Sequence, residues 1–194
     1  MTTRRSTHRG SPSSRQRDER TNGKDENTVR RRIIREKVVQ ALYAYEISGD
    51  PVNHVIACIL VALEKNKGSH EFAKNLVIHT IEHADDIDRI IKAKVTNWDF
   101  KRIAVIDRLI LRMGICELLF FRDIPPKVSM NEAIELAKLF STEKSGQFIN
   151  GVLDAVLNDV KSLGPENIIA DAVKKTGRGL FDGGGARRIG LKTE

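Results

Sequence analysis

A chain of 194 residues with 40% hydrophobic but only 5% aromatic residues is long enough to bury a real core, as one domain or two small ones. Leu, Ile, Val, Ala, Lys and Glu dominate, which favours an all-helical protein, and no apolar run reaches the ~18 residues that a membrane span needs. The net charge of +7 is uneven: residues 1–37 hold 12 Lys/Arg against 5 Asp/Glu, residues 38–160 hold 14 against 17, and residues 161–194 hold 7 against 4. Basic ends on a mildly acidic body point to a polyanion partner, nucleic acid before anionic membrane.

Residues 1–27 are Ser, Arg, Gly and Asn with almost no apolar side chains, so they cannot offset their ordering entropy and read as a disordered basic arm. Asn27 or Thr28 is the expected cap of a first helix, along which Ile34, Val38, Ala41, Leu42 and Tyr45 repeat at helical spacing. Ser48-Gly49-Asp50-Pro51 ends it, with Pro51 at the first turn of a second helix over about 51–66. Lys67-Gly68-Ser69 is a turn. A third helix from about Ser69 carries Phe72, Leu76, Ile81 and later Ile87, Ile90 and Ile91, with a break expected near Ala84-Asp85-Asp86. Asp99 is a plausible N-cap. A short helix near 100–106 and a longer one ending near Phe121 follow.

Pro125-Pro126 forbids a helix immediately before Lys127, and Ser129 with Glu132 has capping-box spacing. Met130, Ala133, Ile134, Ala137 and Phe140 then line one helical face. After a polar break at 141–146, Phe148, Val152, Leu153, Val156 and Val160 line another. Gly151, inside that helix, costs roughly 1 kcal/mol relative to Ala and suggests close approach by another backbone or a ligand. From Leu163 the period is lost, and 163–194 read as a flexible Gly/Arg-rich tail whose glycines follow no strand and form no phosphate loop. The expected fold is all-α: two small helical bundles in series, 28–97 and 98–162, with about seven helices. Cys58 and Cys116 both read as buried free thiols in a reducing cytosol.

Three groups of residues are candidates for chemistry. Arg30, Arg31, Arg32 and Arg35 at a helix start suit RNA phosphates, since guanidinium groups bind them in forks and also stack on bases; a solvated helix face is the plain alternative. Lys144, Gln147, Phe148 and Asn150 surround a helix N-terminus, where free N–H groups favour anions and a phenyl ring can stack on an unpaired base; a core Phe beside a polar cap is the alternative. His79-Thr80-Ile81-Glu82-His83 fits the zinc pattern H-x-x-E-H, but metal catalysis needs a third ligand and a cleft, and the five His do not cluster. No metal and no cofactor are expected.

The strings NEAIELAK and FINGVLD, at 131–138 and 148–154, together with RRIIREKVVQALYAYE at 31–46, resemble the NusB family of bacterial transcription antitermination factors, over roughly 29–160. The resemblance implies a non-enzymatic, cytoplasmic RNA-binding protein that grips boxA-type RNA of nascent ribosomal transcripts, pairs with NusE, a small-subunit ribosomal protein, and joins elongating RNA polymerase. It adds Tyr43, in the matching Gln-Ala-Leu-Tyr, to the RNA candidates and places Phe148 on the aromatic that packs on bases. Ile33 and Lys144 depart from the familiar pattern. The stretch 107–118 also fits, with Arg112 and Glu117 expected to be structural and Asp107 a candidate contact to NusE. Family members occur as monomers and dimers. Some RNA cytosine methyltransferases carry a NusB-like domain, but the 34 residues after 160 leave no room for a catalytic one. A purely protein-binding adaptor would leave the arginines without a role.

Overall fold

The computed structural model describes residues 14–95 and 99–176, with side chains described from 30 to 175. Eight α-helices follow in order: α1 Ser14–Ser48, α2 Val52–Ile59, α3 Lys67–Glu82, α4 Ala84–Lys94, α5 Val105–Phe120, α6 Pro126–Phe140, α7 Glu143–Leu163 and α8 Pro165–Thr176. Short 3₁₀ turns follow α2 and precede α5. Among the described residues there is no strand.

Helix α5 is the centre. Every residue from Leu109 to Leu119 except Arg112 is buried. A helix apolar all round has no solvent face to offer, and α1, α3, α4, α6, α7 and α8 all pack on it. Gly114 allows the closest approach: a Cβ there would lie 3.2 Å from both Leu153 methyls and 3.5 Å from the Ala133 Cβ. The expected boundary at 97/98 falls in a segment outside the described residues. The buried apolar side chains on either side of it form one continuous cluster, from Ile34 to Ala172.

One polar node sits inside that cluster. Arg35, 2% exposed, donates from Nε and Nη2 to the two carboxylate oxygens of Glu117 at 2.7 and 2.6 Å. Ser129 Oγ donates to the same carboxylate at 2.7 Å, and the guanidinium lies 5.3 Å from the Phe72 ring centre. The node thus ties α1, α5 and α6 together over α3. A second network fixes the far end of α1: Glu46 accepts from Arg108 and Arg112, and Arg112 clasps Asp88 of α4 with two bonds of 2.8 Å. Arg112 and Glu117 are structural, as expected. Arg35, expected among the RNA-binding arginines, offers no surface to RNA in this structure. It is enclosed by protein and its charge is already neutralised.

Other boundaries differ for local reasons. α1 begins at Ser14, so Asn27 and Thr28 lie inside it and 14–27 extend the helix rather than an arm; residues 1–13 lie outside the described part. Pro51 is the N-cap residue of α2 rather than part of its first turn. The break after α3 comes at His83, and Asp99 caps as expected, its side chain accepting from the Lys101 N–H. The capping box at Ser129 and Glu132 does not form. Pro126 itself opens α6, because a first-turn N–H is unpaired anyway, and both side chains are spent on tertiary partners. The tail expected from 163 is overturned over 165–176. Gly164 turns the chain at φ +81°, and α8 lays Ile168 and Ala172 into the core against α4 and α7.

Two outcomes follow. Arg35→Ala leaves Glu117 buried and unpaired and should cost ~3–5 kcal/mol in denaturant unfolding, whereas Arg35→Met with Glu117→Met should recover most of it. Ending the chain after residue 162 removes Ile168 and should lower the unfolding midpoint, since burying one Ile is worth ~1.5–3 kcal/mol.

Candidate nucleic-acid interface

The arginines diverge once they are placed on a helix. Arg30 is exposed, Arg31 and Arg32 are half-buried, and Arg35 has turned into the core. Arg31 and Arg32 form one wall of a groove of about 360 Å³, whose other wall is Val128, Asn131, Glu132, Ile134 and Glu135 of α6. Arg32 Nε donates to the buried Glu132 at 3.3 Å, and its Nη1 lies 3.9 Å from Glu135. The guanidinium is therefore held toward α6 without being enclosed. Ile33, where an arginine was anticipated, is 45% exposed. Tyr43 is exposed on nearly the same side of α1 as Arg32, three turns or about 16 Å further along by the helical rise.

The second group sits at the start of α7. Thr142 caps it by accepting from the Ser145 N–H at 3.1 Å. Ser145 Oγ in turn donates to Asp107 at 2.9 Å. Asp107 is thus buried in the first turn of α5 and serves to fix the α7 N-terminus, so it presents no surface to a basic partner. Lys144, Gln147 and Asn150 are exposed, while Phe148 is half-buried against the core. A Cβ on Gly151 would meet nothing within 4 Å. No part of the described chain explains that glycine by close approach.

The two groups meet through α6. Lys138 is 3.4 Å from Glu135 and 3.3 Å from Glu143, the first residue of α7. Its bonds to Glu143 and then Glu135 raise its pKa above the usual lysine value. Asn131, Glu132, Glu135 and Lys138 were missed as site residues, although the Glu135/Lys138 spacing of three is a readable helix-surface pair.

The remaining candidates separate cleanly. His83 stacks on Phe120 with ring centres 4.3 Å apart, and His79 packs edge-on to Phe120 and tilted against Phe121. Among the described residues no group of three metal-binding side chains occurs. Nor is any described helix long and apolar enough to cross a membrane.

The family model for NusB matches residues 32–158. The chain belongs to the NusB family. It is 44% identical over 152 residues to the transcription antitermination protein NusB of Salinibacter ruber, covering 78% of this chain and 91% of that one. It is 43% identical over 158 residues to the NusB of Chloroherpeton thalassium, covering 79% and 70%. Among solved structures, T. maritima NusB is similar at a TM-score of 0.63 with 34% identity, covering 72% of this chain and 96% of that one. A chain in the crystal structure of antitermination factors NusB and NusE in complex with dsRNA is similar at 0.60 with 29% identity, covering 66% and 96%. These proteins are antitermination factors and not enzymes, and so is this one. Apart from Arg31, the residues lining the groove lie inside the matched region, as does most of α7.

Of the two cysteines, both expected to be buried, one differs. Cys58 is exposed on α2, while Cys116 is buried in α5 and its thiol is pushed up to about 12, mainly by burial. A thiol reagent at pH 8 should therefore modify Cys58 in the folded protein and reach Cys116 only on unfolding, giving one equivalent and then two.

Proposed function

We propose that this NusB protein binds boxA-type RNA of nascent ribosomal transcripts together with NusE, and that the complex joins elongating RNA polymerase and opposes premature termination. The observation that carries this reading is the groove between α1 and α6, where Arg31 and Arg32 stand together with Arg30 exposed nearby. The similarity to a NusB–NusE–RNA complex supports both partners. Arginines at a groove supply charge without base selectivity. Selectivity is assigned to the α7 group. Phe148 offers a ring edge or face to an unpaired base, Gln147 and Asn150 offer amides, and Lys144 adds a cation at the helix N-terminus. Stacking of this kind requires single-stranded RNA, so a duplex of the same sequence is the natural control.

Replacing Arg30, Arg31 and Arg32 with Gln keeps a hydrogen-bonding group beside Glu132 and removes the charges. Affinity should fall for matched and shuffled RNA alike, and the log–log salt slope should shrink by about 0.7 per lost contact. Phe148→Ala should weaken matched RNA by ~1–3 kcal/mol and leave the slope nearly unchanged. Gly151→Ala should raise the melting temperature, because Ala is favoured by roughly 1 kcal/mol in a helix and the site is open. If it also weakens RNA binding, the ligand approaches α7 at that point. Unaltered RNA affinity and salt slope in the arginine variant would overturn the site.

A further inference from the structure

Val128, Asn131, Glu135 and Lys138 follow one another at spacings of three and four, so they form a single stripe along α6. Its last two members belong to an alternating series of charges that runs from α1 to α7. Arg32 of α1 reaches Glu135 at 3.9 Å, Glu135 reaches Lys138 at 3.4 Å, and Lys138 reaches Glu143 of α7 at 3.3 Å. Gly146 makes room for the last link, since a Cβ there would lie 2.9 Å from Lys138 Cγ and 3.2 Å from its Cε. The lysine stem runs directly across the start of α7. The series therefore bridges the arginine groove and the Lys144–Phe148 group.

We infer that Glu135 is a specificity-determining residue for RNA, and that Lys138 is a phosphate contact which Glu135 holds in reserve. The inference rests on the RNA-binding reading above. Glu135 is the one carboxylate shared by both cations, although Glu132 also holds Arg32 and Glu143 also holds Lys138, so a phosphate arriving at either cation competes with it. Exposed pairs of this kind add little to folding and are readily exchanged. Their consequence falls on polyanions instead. An RNA that offers only phosphates gains the difference between two anions, while one that also places a base on α7 gains the stacking as well. Once displaced, an ionised carboxylate is only an acceptor. It favours the amino edge of a base such as cytosine and repels a misplaced phosphate.

The test is Glu135→Gln in the full chain, with labelled matched and shuffled single-stranded RNA titrated across a salt series. Shuffled RNA should bind roughly 2- to 30-fold more tightly, the worth of two released exposed pairs. The salt slope should steepen by about 0.7, since Lys138 is the one contact added to those the arginines already make, and matched-over-shuffled discrimination should fall. Adding Lys138→Gln should return that increment. Unchanged shuffled affinity and slope in Glu135→Gln would overturn the inference, as would a gain that Lys138→Gln does not reduce. If Glu135→Gln melts early, Glu143→Gln releases the same lysine and should shift affinity in the same direction. Should the unaltered chain bind neither RNA, the RNA-binding reading itself fails; should it bind and Glu135→Gln change nothing, only this inference does.

Discussion

Two buried charges, Arg35 and Glu117, constrain everything around them. Neither can be left alone in the core, because an unpaired buried ion costs several kcal/mol. The bidentate geometry allows little freedom in how α1 lies on α5, and the Ser129 hydroxyl extends the same constraint to α6. An apolar contact tolerates sliding by a fraction of a side chain, whereas two parallel N–H···O bonds do not. The groove between α1 and α6 inherits its width from this node. Its arginines, Arg31 and Arg32, stand about one helical turn from Arg35 on the same helix.

The basic start of α1 is thus divided between two roles by rotation about a single axis. Arg35 shares the inward arc with Val38 and Leu42, while Arg32 faces the rim, where partners are exchangeable. The polar cluster at α7 is divided in the same way. Ser145 and Asp107 face inward and hold the helix start in place, so that Lys144, Gln147 and Asn150 can face outward. Positioning and contact fall to neighbouring residues of similar chemistry.

That division explains what was legible beforehand. Helical periodicity located the main helices, and Asp99 was a simple capping residue in its proper place. Inside and outside were harder for charges. Arg35 lies at i with Val38 and Leu42 at i+3 and i+7, and Glu117 stands alone in the run ICELLF. Each is a lone charge on an apolar face, and together they signalled a buried pair 82 residues apart. The arginine run drew attention to composition instead of phase. Helix α8 was hidden for another reason. Ile168, Ile169, Ala172 and Val173 do have helical spacing, but twelve residues make a marginal helix without a neighbour. Its stability comes from α4 and α7, which a local pattern does not reveal.

The complete enclosure of α5 also bears on how the protein is made. A ribosome delivers α1 to α4 before α5 and the other half of its packing surface afterwards. When Phe120 has left the exit tunnel, the side of α5 that will meet Ala133, Leu153 and Ile168 has nothing yet to cover it. At ~5–20 residues per second, the roughly forty residues that complete α6 and α7 take several seconds to arrive. During that interval the nascent chain exposes a continuous aliphatic surface. Synthesis of this protein is therefore most vulnerable to aggregation, and most in need of chaperone cover, over the codons for its second half.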